Sequence, residues 1–339
     1  MSASAWLLVI ATVCLGATAG FVAWLPWIIQ PLFRILLALC YRIRIEGREH
    51  LPASGPVLLA ANHVSWLDGF LLAAACPRRG RILVNAAYVD LPIVRPLAQR
   101  AGLIPVSFSG APAFLRAIRA ARAALDRGEV VGLFPEAQLT RNGLLGPFYR
   151  GLEVIVKGRD QVPVIPVALD NLWGSAFSFA GGRSFRIRPH LGRRPLNIVF
   201  GAPVHPPTTR FAVRQALLVA GVHAMALREG PRSPLETIDW TLPHLDHPEL
   251  GPLTGSAPDV HQGAIHQVGH RPGSVGLPLP GVALRIVDPR GGELPPETEG
   301  ELEALVVGHD WLDTHLRGRL DRDGFLYLAP LGRTTPGPA

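Results

Sequence analysis

The run "NHVSWLD", residues 62–68, places a histidine, a serine and an aspartate directly after a short apolar stretch. An imidazole can take a proton near neutral pH, and a carboxylate beside it favours the charged form that results. His63 and Asp68 are five residues apart, a spacing that does not share a helix face as i and i+4 do. The pair works as base and orienter only if a strand enters a helix through a turn that folds Asp68 back onto His63. A capped helix explains the same residues without catalysis, with Asn62 or Ser65 as N-cap and Asp68 in the first turn. Ser65 as a serine nucleophile is a third reading. It is weakened because no G-x-S-x-G elbow occurs in the chain.

A second polar cluster stands at 132–143, "GLFPEAQLTRNG". Glu136 follows Pro135 at the end of an apolar run, where α/β sheets carry ligand-binding groups. The planar fork of Arg141 could pair with a phosphate. Taken alone, the segment is equally an ordinary strand-end loop with a solvated Glu and Arg.

The elements needed to bring these groups together are legible. Val57–Ala61, Ile82–Asn85, Leu103–Val106, Val130–Phe134, Val162–Ala168 and Asn197–Phe200 are short, rich in Val, Ile or Leu, and bounded by Gly, Pro or polar residues. That pattern predicts buried strands. Ala113–Arg127 is an amphipathic helix with its arginines largely on one side and Gly128 as the stop. Gly151–Lys157 and Arg210–Arg228 are further helical stretches. Strands alternating with helices predict an α/β sheet with helices packed on it.

The 339 residues suffice for one α/β domain and more. The net charge of +7 rests on arginine, since Lys157 is the only lysine. It suits an anionic membrane surface or acidic ligands. Basic–aromatic blocks and zinc-finger spacings are missing, which argues against nucleic acid. Cys14, Cys40 and Cys76 form no C-x-x-C pair and imply a reduced, intracellular setting. The first 33 residues carry no charge, and Ala5 to Ile29 is long enough to span a bilayer. Arg34, Arg42, Arg44 and Arg48 follow, so the expectation is an anchor over 1–40 in the inner membrane, with the rest facing the cytoplasm. Pro26 and Pro31 leave a re-entrant or interfacial anchor open.

With "FPE" (Phe134, Pro135, Glu136) some seventy residues after "NHVSWLD", and "VPVIPVAL" beyond it, the chain resembles the glycerolipid acyltransferases. Over about residues 35–230, "PFYRGLEVIVKG" and "LWGSAFSFAGGR" resemble more specifically the acyltransferase part of fusions with acyl-acyl-carrier-protein synthetases. The resemblance implies a mixed sheet flanked by helices over 41–230, with direct acyl transfer and no acyl-enzyme. His63 would be the general base, Asp68 its orienter, and Glu136 and Arg141 the acceptor-binding groups, with Asn62, Ser65 and Pro135 in support. Acyl-CoA or acyl-carrier protein would be co-substrate, membrane lipids the partners, and no cofactor or metal is implied.

Two departures matter. Ala137 stands where the family has glycine, a strain of about 1 kcal/mol or more if that position needs φ > 0. The acceptor implied is the hydroxyl of a lysophospholipid or glycerol phosphate. Ser107 and Phe108 stand where many members carry an arginine, which argues against a phosphatidate-type acceptor and for a lysophospholipid with a different head group, unless Arg141 or Arg150 takes over the phosphate. A lipid-binding pseudoenzyme and a lipid hydrolase are the alternatives.

Beyond 230 the expectation is a Pro/Gly/His-rich linker over 231–272, a small β-rich fragment over 273–330 and a disordered tail over 331–339. The fragment resembles adenylate-forming synthetases, but the phosphate-gripping loop is missing. Leu316 replaces the ribose-binding aspartate, and Gly255 replaces a metal-binding glutamate. His244, His247, His261, His266 and His270 cluster here without a helical pattern to align them, so no metal is assigned. Oligomeric state is not legible.

Overall fold

The computed structural model describes residues 39–89, 101–107, 110–184, 193–229, 238–262 and 265–330, with 35, 95 and 98. The anchor expected over 1–40 and the tail over 331–339 lie almost wholly outside these residues. Among the described residues, no helix is long and apolar enough to cross a membrane.

Seven strands build one sheet in the order β1-β7-β6-β2-β5-β3-β4. They are β1 (Tyr41–Glu46), β2 (Val57–Ala61), β3 (Gly80–Asn85), β4 (Leu103–Val106), β5 (Val130–Leu133), β6 (Val164–Asp170) and β7 (Arg194–Phe200). All neighbours pair in parallel except β6 with β7, so the sheet is mixed, as expected. β2 and β5 are buried at every position. Such strands show as continuous apolar runs because both faces are covered. β1 was not among the expected strands. Its sequence YRIRIE alternates with period two, and that signal could have found it.

Among the described residues, five helices flank this sheet: α1 (Asp68–Ala75), α2 (Ala86–Val89), α3 (Ala111–Asp126), α4 (Gly151–Val156) and α5 (Arg210–Ala226). One face is covered by α3, α4 and α5, through Ile118, Leu125, Leu152, Val213 and Leu217. On the opposite face α1 packs Leu71 and Leu72 against Leu59 and Ile165. α3 starts with Pro112 in its first turn and gives way to Gly128 at φ 77°, which an L-residue adopts only at a cost. Thr209 caps α5, its hydroxyl accepting from Ala212 N at 3.1 Å.

The topology settles where the two polar clusters meet. β2 and β5 are parallel neighbours with Ala60 opposite Leu133, so the segments that follow them leave the same edge of the sheet.

The boundary expected between linker and C-terminal fragment is not one in space. β8 (Leu245–His247), β9 (Gly251–Gly255), β10 (Val260–Gln262) and β11 (Ile265–Gln267) all fall within the supposed linker. β9 pairs with β12 (Leu277–Pro278), which lies beyond it. β13 (Val282–Val287), β14 (Gly300–Val306), β15 (Leu312–Leu320) and β16 (Leu326–Leu328) form an antiparallel meander. Its core is shared with Phe211 of α5 and with Leu144. Arg214 of α5 is fully buried, and its guanidinium donates to Leu145 O at 2.9 Å and Gly146 O at 3.3 Å. Gly324 leaves it room, since a Cβ there would lie 2.0 Å from its Nη1. Leu316 packs on this core, and a side chain at Gly255 would press on Ile238 and Leu279 at 2.9 Å.

Candidate active site

The chain leaves β2 and turns into α1 within seven residues, and Asp68 is the first residue of that helix. Asp68 is fully buried and organises the turn. Its Oδ2 accepts from Val64 N at 2.5 Å, Ser65 N at 2.9 Å and His63 Nδ1 at 2.9 Å, and its Oδ1 accepts from Ser65 Oγ at 2.5 Å. The five-residue spacing is thus explained: from the first turn of its helix the carboxylate ties together the turn that precedes it and still reaches the imidazole. Of the capped-helix reading only the place of Asp68 in the first turn holds, since the N-cap is Leu67 and no side chain caps it.

A carboxylate only accepts, so His63 carries its proton on Nδ1 and keeps the lone pair of Nε2. The ring lies against Phe134, with centroids 4.2 Å apart and planes 18° from parallel. Ser65 is fully buried, and its hydroxyl is taken by Asp68 and by Leu67 N at 3.2 Å. It is a turn residue, and the serine-triad reading falls. Asn62 joins the motif to β6, its side chain bonding both the O (2.9 Å) and the N (2.7 Å) of Leu169.

The FPE segment holds His63 through its backbone. Glu136 Oε1 accepts from His63 N at 2.8 Å, and Thr140 N donates to His63 O at 2.8 Å. Glu136 Oε2 accepts from Gly146 N at 2.8 Å. Pro135 is buried, and its carbonyl accepts from Tyr149 N at 2.9 Å. The expected acceptor-binding role of Glu136 is therefore corrected. It is 4% exposed, and each carboxylate oxygen already serves a backbone N–H. Its work is to fix the histidine.

Burial pushes the Glu136 carboxyl up from 4.5 to about 7, against the pull of those two N–H groups. Between about 4.5 and about 7 the folded chain holds this proton and the unfolded chain does not. The group's contribution to stability therefore falls as pH rises through that window. Urea titrations of wild type and Glu136→Gln in parallel are expected to show the difference, wild type minus variant, shrinking from pH 4.5 to pH 7. A pH-independent difference would count against this assignment.

Ala137 has φ 55° and its N–H donates to Phe134 O at 3.0 Å. The position does need the left-handed region. Because Ala137 is exposed, Ala137→Gly relieves the strain without opening a cavity. It is expected to stabilise the chain by about 1 kcal/mol. The matching readout is a melting temperature higher by about 2–4 °C, and an unchanged or lower one contradicts the strain.

Arg141 directly follows Thr140, whose N–H holds His63 O. Its guanidinium sits over the Phe179 ring, 3.3 Å from the centroid. Nε and Nη1 are buried without a hydrogen-bond partner, and burial pulls its pKa below the ordinary arginine value. A desolvated cation with open donors is a place for an anion. Arg150, the other expected phosphate group, is exposed at the start of α4. Ser107 ends the segment after β4, and Phe108 lies outside the described residues.

Sequence reasoning missed the loop at 171–184 as part of the site. Phe177 O accepts from Trp66 N at 3.2 Å, Ser178 bridges to Ser65, and Phe179 underlies Arg141. Arg194 holds the loop through the carbonyls of Asn171, Trp173 and Gly174. Trp66 meets Tyr88 edge-on at 4.9 Å, and Tyr88 is 56% exposed. A cleft of about 90 Å³ touches Asn62 and Glu136 but runs between α5 and Leu279–Gly281. It is on the α5 face of the sheet, whereas His63 stacks with Phe134 on the α1 face.

Residues 42–170, less than half of the chain, match the model of the Acyltransferase family. Over these residues the chain is similar to that family. The chloroplastic 1-acyl-sn-glycerol-3-phosphate acyltransferase of Brassica napus is 28% identical over 130 residues, 38% of this chain and 37% of that protein. The Neisseria gonorrhoeae 1-acyl-sn-glycerol-3-phosphate acyltransferase is 36% identical over 107 residues, 31% of this chain and 41% of that one. The chain thus spans well under half the length of either relative. The solved Thermotoga maritima PlsC, titled a 1-acyl-sn-glycerophosphate acyltransferase, aligns with 66% of this chain and 94% of its own at 20% identity and a TM-score of 0.48.

Proposed function

We propose that this acyltransferase-family domain moves a fatty acyl group from an acyl thioester directly to the hydroxyl of a 1-acylglycerol phosphate. The observation that carries the proposal is the buried Asp68 carboxylate on His63 Nδ1, which leaves Nε2 as the base. Nε2 takes the proton of the acceptor hydroxyl as its oxygen attacks the thioester carbonyl. The C–O bond forms, the C–S bond breaks, and the departing thiolate takes the proton back from the imidazolium. Asp68 stabilises the imidazolium between those two events. No protein hydroxyl is acylated, consistent with Ser65 being committed to Asp68. The donor is acyl-CoA or acyl-acyl-carrier protein.

The open donors of Arg141 supply the phosphate grip that the residues at 107 and 108 do not. Arg141→Ala is expected to raise KM for 1-acylglycerol phosphate about 10- to 100-fold, the scale of lost hydrogen bonds to a charged group. KM for an uncharged monoacylglycerol acceptor should change little. Equal effects on both acceptors would remove Arg141 from the head-group site. Membrane lipids reach the site over a surface on which Phe70 and Tyr88 are exposed, and Ile35 and Leu39 are exposed nearer the expected anchor. The setting that fits is the cytoplasmic side of the inner membrane.

The reading is tested with purified protein in detergent, labelled acyl-CoA or acyl-acyl-carrier protein, and a panel of lysolipids. Acceptor-dependent ester formation supports it. Lipid binding without turnover supports the pseudoenzyme, and free fatty acid as the only product supports a hydrolase.

A further inference from the structure

Two of the histidines assigned no metal above, His261 and His266, lie on a hairpin, not a helix. In β10–β11, His261 and His266 are directly paired across the strands. Cross-strand partners project to one face, so a spacing of five residues brings the two rings together. The rings stack with centroids 4.3 Å apart and planes 15° from parallel. Asp259 precedes β10, and one ligand atom from each of Asp259, His261 and His266 lies within 4.8 Å of the other two. The Asp259 carboxylate is held in place, accepting from Gly269 N at 2.8 Å and His270 N at 3.4 Å. His270 Nδ1 stands 3.3 Å from the same oxygen.

Two imidazoles and one carboxylate select a borderline divalent cation. Zn²⁺ bonds to such ligands are about 2.0–2.2 Å long, so two of them span at most about 4.4 Å. Turning the two exposed rings out of their stack, so that their nitrogen lone pairs converge beside the Asp259 carboxylate, seats the ion. Mg²⁺ and Ca²⁺ favour oxygen ligands and do not fit this donor set.

The hairpin also rests on the proposed acceptor loop. His266 O accepts from Gln138 Nε2 at 3.4 Å. Gln267 is buried on the other face of β11, where its Oε1 accepts from Arg141 N at 2.7 Å and its Nε2 donates to Asn142 Oδ1 at 3.0 Å. Neighbouring strand residues thus face the candidate ligands on one side and the Arg141 loop on the other. We propose that Asp259, His261 and His266 form a Zn²⁺-type site whose ion locks this hairpin onto the Arg141 loop. The metal site stands independently of the acyl-transfer reading, and its test needs no turnover.

Full-length protein in detergent, stripped with a chelator, is titrated calorimetrically with ZnCl2 and, separately, with CoCl2 while visible absorption is recorded. One saturable equivalent of Zn²⁺ and cobalt d–d bands are expected. Both should be lost in the His261→Ala/His266→Ala double variant, or in the matching glutamine double variant if the first misfolds by circular dichroism. Asp259→Asn is expected to weaken binding about tenfold or more. Hydrogen exchange over 138–145 should slow with Zn²⁺ in the wild type and not in the double variant. Absence of saturable binding, or binding unchanged in the double variant, overturns the site. Binding with unchanged exchange over 138–145 overturns the lock.

Discussion

His63→Ala is expected to lower kcat for acyl transfer about 10²- to 10⁴-fold, the range that a positioned general base contributes. KM for donor and acceptor should move little, since the substitution removes a group used in the transition state. The fold should survive. The backbone N and O of residue 63 keep their bonds to Glu136 and Thr140, and Asp68 keeps Val64 N, Ser65 N and Ser65 Oγ. Steady-state kinetics on the variant, with circular dichroism as the folding control, are the measurement. A kcat within threefold of the wild type would remove His63 from the chemistry.

Asp68→Asn acts through the histidine and reaches further into the fold. The amide has one acceptor and one donor end where the carboxylate has two acceptors. With its oxygen turned towards Val64 N, Ser65 N and His63 Nδ1, its NH2 faces the Ser65 hydroxyl, which must reverse. With the opposite turn, two backbone N–H groups and the imidazole meet a donor. Either way the imidazolium loses the negative charge beside it. We expect kcat to fall about 10²- to 10⁴-fold, as for an aspartate that holds a catalytic histidine in the correct tautomer. Stability should fall by about 1–3 kcal/mol, because a buried group in this turn is left imperfectly bonded. Asp68→Glu should not rescue transfer, since a longer side chain cannot satisfy the same turn in a fully buried position. A loss of stability with kcat intact would make Asp68 a turn-former and nothing more.

These effects rest on features that differ in how well the sequence exposes them. The meeting of the two motif blocks was legible, because continuous apolar runs mark the central strands and parallel neighbours end at one edge. The five-residue spacing of His63 and Asp68 already excluded a shared helix face. The left-handed requirement at Ala137 was visible as a conditional, and φ 55° meets the condition. The role of Glu136 was not legible. A glutamate after a strand looks like a ligand-binding group until the backbone N–H groups of His63 and Gly146 are found on it. Phe179 and the loop around it were hidden for a related reason, since nothing local in "AFSFAGG" tells which cation it lies beneath.

The C-terminal region shows the opposite error. Its Pro, Gly and His content suggested a linker, yet β9 pairs with β12 across the expected boundary and Leu253 is fully buried. Short strands carry too few residues for periodicity to register. The same shortness concealed His261 and His266, because a search at helical spacing passes over a cross-strand pair. Glu136, Arg214 and Gln267 also have bonds or electrostatic partners distant in the chain, so their roles follow from the tertiary structure alone.

The central claim is that His63 activates a lipid hydroxyl and that the acyl group passes to it without resting on the protein. One measurement bears on it directly: label distribution after a single turnover with acyl-labelled donor, with and without 1-acylglycerol phosphate, in wild type and His63→Ala. Label should move to the acceptor lipid in the wild type alone, stay on the donor when the acceptor is withheld, and never be found on protein. Label on a protein side chain, or ester formed equally well by His63→Ala, would contradict the account.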